Sequence, residues 1–358
     1  MAPFQHEGHG VLLCLSALRL IKTERITEMK IFVLYSMVIF SAFCGRAQDV
    51  LLCNAREHGA LAKECLRVVD QDGIPVVGAK VWGGLQTGGN LNDFIPISGT
   101  TNTNGEYIIQ GKCTNRIRCD ITKDGYYRAE FLLSNYGYSH TVKNGKWQPF
   151  GHITVITLRQ IKGLGKLMVP DGTGSNVGRW SIPAWDRWVG FDLEKFDWTP
   201  PYGRGENNDM QIRFAANIKN AYFDFKITMD VCFTNYPFAG AYVCKKNFGS
   251  DFTWSEYADT NKVFATEFNY ACERRPDGKR IKDMLPEDSF MVFRTRTKVD
   301  GEGKLVSAHY GVISGAWFFG SETMRIDDAC FNSKANDPMI EDGYYLRKSV
   351  RENKNMER

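Results

Sequence analysis

A two-residue periodicity of apolar side chains recurs through much of the sequence. From Ala221 to Phe233 every second residue is apolar, and most of the residues between them are polar. The stretch from Met291 to Val299 alternates in the same way, with Arg294, Arg296 and Lys298 on the outer face. Because successive side chains of a β-strand point to opposite faces of its sheet, this alternation predicts half-buried antiparallel strands. No stretch has helical spacing over three turns, so we predict an all-β protein.

Short strand-like runs separated by turn residues also fill the stretch from 61 to 161. Turn signals occur at Asp70–Gly73, Asn102–Gly105 and Lys123–Tyr126, each beside a run of β-branched or aromatic residues. D-G and N-G dipeptides between such runs are typical of hairpins and tight turns. About seven strands result, which is the number that closes a small sandwich.

Three motifs of this stretch, RVVDQDGIPVVGAKVW, TTNTNGEYII and RCDITKDGYY, resemble the carboxypeptidase regulatory-like domain. The resemblance implies an Ig-like or prealbumin-like β-sandwich over 61–161 and an extracytoplasmic accessory role without catalysis. The positions that match the family pattern are Asp72, Gly73, Pro75, Gly78, Ala79, Thr101, Gly105, Gly125 and Tyr126.

The remainder of the chain is expected to form a second, larger domain. Residues 162–179 are rich in glycine and are interpreted as a linker, and residues 180–345 again carry strand patterns. The clearest hairpin turns at Asp300–Gly303. We therefore predict a larger antiparallel β-sandwich or a jelly-roll-like module over 180–345. The charged residues 346–358 are expected to be a frayed tail.

The N-terminal region carries an export signal. The run from Ile31 to Cys44 is apolar apart from Ser and Tyr, but it is shorter than the roughly 20 residues that cross a bilayer. We interpret 29–47 as a signal peptide cut after Ala47, 1–28 as a mis-assigned upstream start and 48–60 as a lead-in. A membrane anchor and a lipoprotein acylated at Cys44 are the alternatives. Each interpretation takes the protein out of the cytoplasm, and after signal removal we expect no membrane span and a secreted, periplasmic or cell-surface location.

Eight cysteines follow the predicted cleavage site, and an even number in an exported chain favours disulfides. Pairs close in sequence, Cys113 with Cys119 and Cys232 with Cys244, are the preferred pairing, although spacing alone does not choose a connectivity. Tight C-x2-C spacings and nearby histidines are absent from the sequence, so no zinc site is predicted. The eight candidates are Cys53, Cys65, Cys113, Cys119, Cys232, Cys244, Cys272 and Cys330.

Several function classes are disfavoured by composition and by missing motifs. The formal net charge is only +4, with basic residues dispersed rather than clustered, which argues against a nucleic-acid partner. None of the histidines after the cleavage site is followed by Glu three positions later, as the zinc carboxypeptidases require. A G-x-S-x-G element is also absent, so no catalytic residue and no cofactor are predicted. His309, in the middle of a predicted strand, is interpreted as a structural histidine.

An aromatic segment with interspersed carboxylates is the best sequence candidate for a binding site. Flat aromatic faces stack on the C–H faces of sugars, and neighbouring carboxylates accept bonds from hydroxyl groups. The structural alternative is that the same aromatics plug the end of the sandwich and fix the domain junction. The candidate residues are Trp180, Trp185, Trp188, Trp198 and Tyr202.

The carboxylates of this segment allow two further interpretations. Two of them could form a glycosidase pair, for which Asp186, Asp192, Glu194 and Asp197 are the nearest candidates. The stretch 206–209 offers oxygen ligands for calcium, but it lacks the EF-hand frame and is interpreted as a polar loop.

Together these patterns predict an exported, noncatalytic binding or scaffold protein whose partner is a glycan or an envelope protein. The rival hypotheses are a hydrolase that acts on extracellular polysaccharide through carboxylates in 186–209, and a structural component of the envelope. Oligomeric state is not predicted.

Overall fold

The computed structural model describes residues 49–88, 93–134, 141–163, 167–170, 178–220, 222–247 and 249–341. The predicted upstream start, signal peptide and C-terminal tail therefore lie outside the described residues. No helix among those residues is long and apolar enough to span a membrane.

The protein is all-β, as predicted. Residues 49–58 form a short helix that the sequence analysis did not predict. The strands are β1 Ala60–Val69, β2 Lys80–Gln86, β3 Phe94–Thr100, β4 Glu106–Cys113, β5 Ile117–Thr122, β6 Ala129–Leu133, β7 Val142–Lys143, β8 Lys146–Trp147, β9 His152–Thr157, β10 Arg179–Ser181, β11 Trp188–Asp192, β12 Asp197–Trp198, β13 Met210–Asn220, β14 Asp224–Cys232, β15 Gly240–Lys245, β16 Glu267–Arg274, β17 Arg280–Asp283, β18 Ser289–Val299, β19 Leu305–Phe319 and β20 Thr323–Phe331.

Strands β1 to β9 form the first sandwich. One sheet has the order β4-β1-β8-β7, with β9 also paired to β1, and the facing sheet has the order β3-β2-β5-β6. Seven of these strands have five or more residues, while β7 and β8 are a two-residue ladder. Leu66, Val81 and Ile121 are among the buried residues that fill the space between the two sheets.

Hydrogen bonds within the turns explain how the first sandwich closes. Asp70 Oδ1 accepts hydrogen bonds from the backbone N–H groups of Asp72 and Ile74, both at 2.9 Å, which shapes the D-G turn. Gly73 in this turn has a φ of 80°, a conformation that glycine adopts without steric cost. The buried hydroxyl of Thr101 accepts a bond from Ala79 N–H and donates one to Val76 O. The motif residues of this region therefore serve turn and strand geometry.

Strands β10 to β20 form the second sandwich. Its sheets have the orders β10-β20-β19-β18-β15 and β12-β11-β13-β14-β16-β17. The predicted alternation is confirmed on β14, where Ile227, Met229 and Val231 are buried between the sheets. The hairpin at Asp300 is also confirmed, because Asp300 Oδ1 accepts bonds from the N–H groups of Glu302 and Lys304.

The two sandwiches meet at a third group of buried side chains, which we call the junction core. It contains Tyr127 of the first sandwich together with Phe252, Trp254, Tyr310 and Ile340 of the second. The Tyr127 and Phe252 rings stack with a centroid distance of 4.8 Å.

Buried polar bonds reinforce this junction. The Arg159 guanidinium forms an ion pair with Glu256 at 2.6 Å and lies 4.6 Å above the Phe252 ring. Arg128 bridges Asp120 of the first sandwich and Asp251 of the second, at 3.2 and 3.1 Å. These bonds hold the two sandwiches together beside the chain segment that was interpreted as a linker.

The long connection from 246 to 266, between β15 and β16, has two roles. Near its start, Phe252 and Trp254 pack into the junction core. Near its end, Ala265 bridges Ala241 on β15, which brings Phe264 beside the second sandwich. The connection thus joins the domain junction to one edge of the second sandwich.

Candidate functional site

Two of the predicted platform residues are part of the second sandwich's interior. Trp198 is 3% exposed, contacts Phe191 edge-on at 5.1 Å, and donates its indole N–H to Ser181 O at 3.0 Å. Trp180 is half-buried and donates its indole N–H to Phe196 O at 2.6 Å. Both indoles are held by backbone carbonyls and packed against the core, which is the role that the structural alternative assigns to them.

The other three platform residues lie closer to the surface. Trp185 is half-buried and packs edge-on against Phe214 at 6.4 Å. Trp188 is 44% exposed, and the Arg213 guanidinium lies 5.0 Å from its ring on the neighbouring strand. Tyr202 is exposed in the loop after β12. The five aromatics therefore do not share one exposed face.

The carboxylates of the tryptophan-rich segment stabilise the loops between β11 and β13. Asp192 is fully buried, and its oxygens accept hydrogen bonds from the backbone N–H groups of Glu194, Lys195, Glu206 and Asn207. Burial alone would raise the pKa of Asp192, but these four donors outweigh it and hold the pKa below its ordinary value. A general acid needs a raised pKa and a side chain that a substrate can reach, whereas Asp192 has a lowered pKa and is fully buried.

Arg296 lies at the centre of this carboxylate group. Its guanidinium contacts Asp209 and Asp192 at 2.9 and 3.0 Å and also bonds Glu194; we call these four residues the arginine cluster. Burial disfavours the charge of Arg296, but the bonds to Asp209 and its neighbours outweigh this effect and raise the pKa. The carboxylates of Asp192 and Asp209 are thus committed to a buried cation, so they do not form a pair across an open cleft.

The position of Arg296 corrects the sequence analysis, which placed it on the outer face of its strand. The pairing of β18 with β19 shifts register after Thr295, and Arg296 has a φ of 48°. A bulge of this kind turns one side chain to the opposite face of the strand. Arg296 is therefore directed toward Asp209 and over the Phe331 ring at 4.7 Å rather than into solvent.

The predicted polar loop 206–209 wraps around Asp192. The backbone N–H groups of Glu206 and Asn207 donate to Asp192, and Asp209 is fully buried beside Arg296. Among the described residues, no group of three or more His, Cys, Asp and Glu side chains is placed to hold a metal ion. His309 stacks on Phe331 at 5.6 Å, and its Nδ1 lies 3.1 Å from Asn332 O.

A concave site that the sequence analysis did not identify lies at the start of β15, next to Ala239. It has a volume of about 520 Å³ and lies between the turn before β15 and the end of the 246–266 connection. We call it the aromatic pocket and define it by Tyr236, Phe238, Lys262, Val263, Phe264 and Arg294.

Phe238 is held in the aromatic pocket in an unusual conformation. Its φ is 60°, in the left-handed region that bulky side chains rarely adopt, and the residue is 55% exposed. Arg294 Nε donates to Phe238 O at 2.8 Å, which fixes the backbone in this position. Strained residues of this kind cost about 1–3 kcal/mol and cluster at binding sites. An exposed phenyl ring held in such a conformation is a candidate ligand contact.

Two cations complete the aromatic pocket. The Arg294 guanidinium lies 4.0 Å from the Phe264 ring, and Lys262 Nζ lies 5.0 Å from the Tyr242 ring. Burial lowers the pKa of Arg294 from its ordinary value. Among the other lining residues, burial and the nearby Asp209 carboxylate raise the pKa of Tyr236. The pocket therefore combines apolar rings with positive charge.

Comparisons with known proteins do not assign this site. No protein-family model matches the chain, and no curated protein matches its sequence. Among solved structures, 3-chlorocatechol 1,2-dioxygenase from Rhodococcus opacus is similar over 29% of this chain and 62% of its own, with 13% identity and a TM-score of 0.23. This chain therefore spans less than two thirds of the length of that enzyme.

Two further solved structures match more of the chain. A DUF3823 family protein from Parabacteroides merdae is similar over 79% of this chain and 99% of its own, with 10% identity and a TM-score of 0.19. A Bacteroides uniformis protein described as a candidate carbohydrate-binding protein is similar over 75% of this chain and 97% of its own, with 7% identity and a TM-score of 0.16. Similarities at these TM-scores carry no functional argument.

The predicted disulfides are not formed. All eight candidates, from Cys53 to Cys330, are present as thiols. The preferred pairs are divided between sheets, because Cys113 is on β4 and Cys119 on the facing sheet, while Cys232 and Cys244 are also on opposite sheets. Burial raises the pKa of Cys113 to about 11 and that of Cys119 to about 12. Thiols with such pKa values are poor nucleophiles.

Proposed function

We propose that this protein is an exported, noncatalytic glycan-binding protein and that the aromatic pocket is its ligand site. The observation that carries the proposal is the exposed ring of Phe238, held at a φ of 60° beside Phe264 in a pocket of about 520 Å³. Pockets of roughly 300–1,000 Å³ with aromatic walls and a few polar groups are typical of small-ligand sites.

The chemistry of the walls favours a sugar. Phe238 and Phe264 supply apolar faces that can stack on the C–H faces of a pyranose ring. Thr234 and Thr266 add hydroxyl groups that can exchange hydrogen bonds with sugar hydroxyls. None of the residues that line the pocket is Asp, Glu or His, the residue types that most often act as general acids or bases. This composition favours binding over hydrolysis.

Features of the sequence support the location and the assignment of the first domain. The signal-like segment 29–47 supports export, and the motifs of 61–161 support a carboxypeptidase regulatory-like domain with an accessory role. In this proposal the first sandwich supports the second, since Tyr127 and Arg159 contact the connection that also forms a wall of the pocket.

A glycan array probed with the chain that follows the predicted cleavage site tests the proposal. We expect binding to a defined set of glycans, about tenfold weaker for Phe238→Ala because a stacking ring is lost. Trp188→Ala is the matched control, since Trp188 is also exposed but lies outside the pocket. No binding to any glycan would refute the function, and loss of binding only in Trp188→Ala would refute the assignment to this pocket.

A further inference from the structure

The aromatic pocket is lined by two cations, the half-buried Arg294 and the exposed Lys262. Arg128, Arg159, Arg213 and Arg296 each form an ion pair with a carboxylate at 3.2 Å or less. Arg294 and Lys262 form no ion pair with any carboxylate in the part of the chain that the structure describes. The pocket thus carries positive charge that the protein itself does not balance.

The partners of these two cations are neutral. Arg294 Nε donates to the Phe238 carbonyl at 2.8 Å, and its guanidinium lies over the Phe264 ring. Lys262 Nζ lies 3.3 Å from Cys244 Sγ and over the Tyr242 ring. Cation–π contacts and neutral acceptors compensate a charge less than an anion does. Burial also lowers the pKa of Arg294, which indicates that its charge is incompletely solvated.

We infer that the ligand of the aromatic pocket is an acidic sugar, whose carboxylate or sulfate group contacts Arg294 and Lys262 while its ring stacks on Phe238 or Phe264. This inference rests on the proposed function and specifies its ligand class. A guanidinium and an ammonium at one site match an anionic group, because bonds between ionised donors and acceptors are the stronger ones. A neutral sugar would leave both cations without an anionic partner.

Calorimetric titration with matched oligosaccharides tests whether the pocket prefers a negatively charged sugar. The probes are oligogalacturonate, its fully methyl-esterified form and a sulfated heparin fragment, and the protein is the whole chain after the predicted cleavage site. We expect at least one of the two acidic probes to bind about tenfold or more tightly than the ester, and the difference to fall as salt is raised. Preference for oligogalacturonate assigns a carboxylate ligand, and preference for the heparin fragment assigns a sulfate.

Two variants locate the effect in the aromatic pocket. Arg294→Gln and Lys262→Gln should each remove most of the preference for the acidic probe. Affinity for the ester should also fall in Arg294→Gln, because Arg294 holds Phe238 in place, but by a smaller factor than affinity for the acidic probe. Arg325→Gln is the matched control, because Arg325 also lies over an aromatic ring, Phe318 at 4.7 Å, but outside the pocket. Lys262 is exposed, so its variant should fold even if Arg294→Gln does not.

The outcomes separate this inference from the proposed function. Equal affinity for acidic and esterified sugars would overturn the inference and leave glycan binding in place. An acid preference that persists in both Arg294→Gln and Lys262→Gln would also overturn it, since the anion would then bind elsewhere. Absence of binding to all three probes, together with a blank glycan array, would overturn both.

Discussion

The hydroxyl group of Tyr127 donates a hydrogen bond to Glu341 Oε1 at 2.9 Å, across 214 positions of sequence and from one sandwich to the other. Glu341 is fully buried and also accepts a bond from Gly163 N–H at 2.9 Å. A buried carboxylate with these partners ties the end of the described chain to the segment between the two sandwiches.

Removal of this hydroxyl should weaken the junction. Tyr127→Phe keeps the ring that stacks on Phe252 but leaves Glu341 with one donor fewer, so we expect the free energy of unfolding to fall by about 1–2 kcal/mol. Urea titration followed by tryptophan fluorescence measures it. Tyr222→Phe, at a highly exposed position, should change nothing, and an equal effect of the two substitutions would contradict the prediction.

Loss of the cation in the arginine cluster should be more damaging. Arg296→Met leaves Asp192 and Asp209 buried without their cation, and removal of one partner from a buried ionic group costs about 3–5 kcal/mol. Thermal unfolding of the variant should shift to lower temperature by far more than that of Arg204→Met, where the arginine is exposed. Similar melting temperatures for the two variants would show that Arg296 is dispensable.

The low pKa of Asp192 should make the free energy of unfolding depend on pH. Because the folded chain holds this carboxyl below its ordinary value of 3.8, the unfolded chain binds the proton more tightly. The contribution of Asp192 is therefore complete above about pH 4 and is lost as the pH falls further. The difference in free energy of unfolding between the native protein and Asp192→Asn should be largest near neutral pH and should decrease as the pH falls below about 4. A difference independent of pH would contradict this assignment.

The buried thiols should be chemically silent in the folded protein. Cys113 and Cys119, with pKa values raised to about 11 and about 12, should resist iodoacetamide at pH 8, whereas the exposed Cys53 should react. Peptide mass spectrometry after alkylation in the absence and presence of urea distinguishes them. A disulfide between Cys232 and Cys244 in the unreduced digest would contradict the structure.

A methyl group at Gly240 should disturb the aromatic pocket. A Cβ atom there would lie 2.6 Å from Ala265 O and 3.0 Å from Phe264 Cβ, so the wall that carries Phe264 must move. We expect Gly240→Ala to lower glycan affinity by about tenfold by the loss of a stacking contact. Gly301→Ala, which meets nothing within 4 Å, is the control. Unchanged affinity in Gly240→Ala would show that the position of Phe264 does not matter for binding.

The sequence predicted the strands better than the site because strand patterns are local. The alternation along β14 and the turn at Asp300 each depend on residues within one short segment, and both were confirmed. Arg296 was placed on the wrong face because a bulge adds one residue to a strand without interrupting its hydrophobic pattern.

The aromatic pocket was missed for a different reason. Phe238, Phe264 and Arg294 come from three separate segments, and only the pairing of β15 with β18 and with Ala265 brings them together. A positive φ at Phe238 also has no signal in the sequence, since aromatic residues rarely adopt it. The tryptophan-rich segment had the stronger compositional signal, but Trp198 and Trp180 are used mainly for packing.

The connection from 246 to 266 makes the second sandwich dependent on the first for its solubility. Phe252 and Trp254 lie beneath Tyr127 and Arg159 of the first sandwich, so a fragment that begins after the junction would expose these rings to water. Such a fragment should self-associate, so we expect that the second sandwich cannot be excised at the glycine-rich segment without its neighbour.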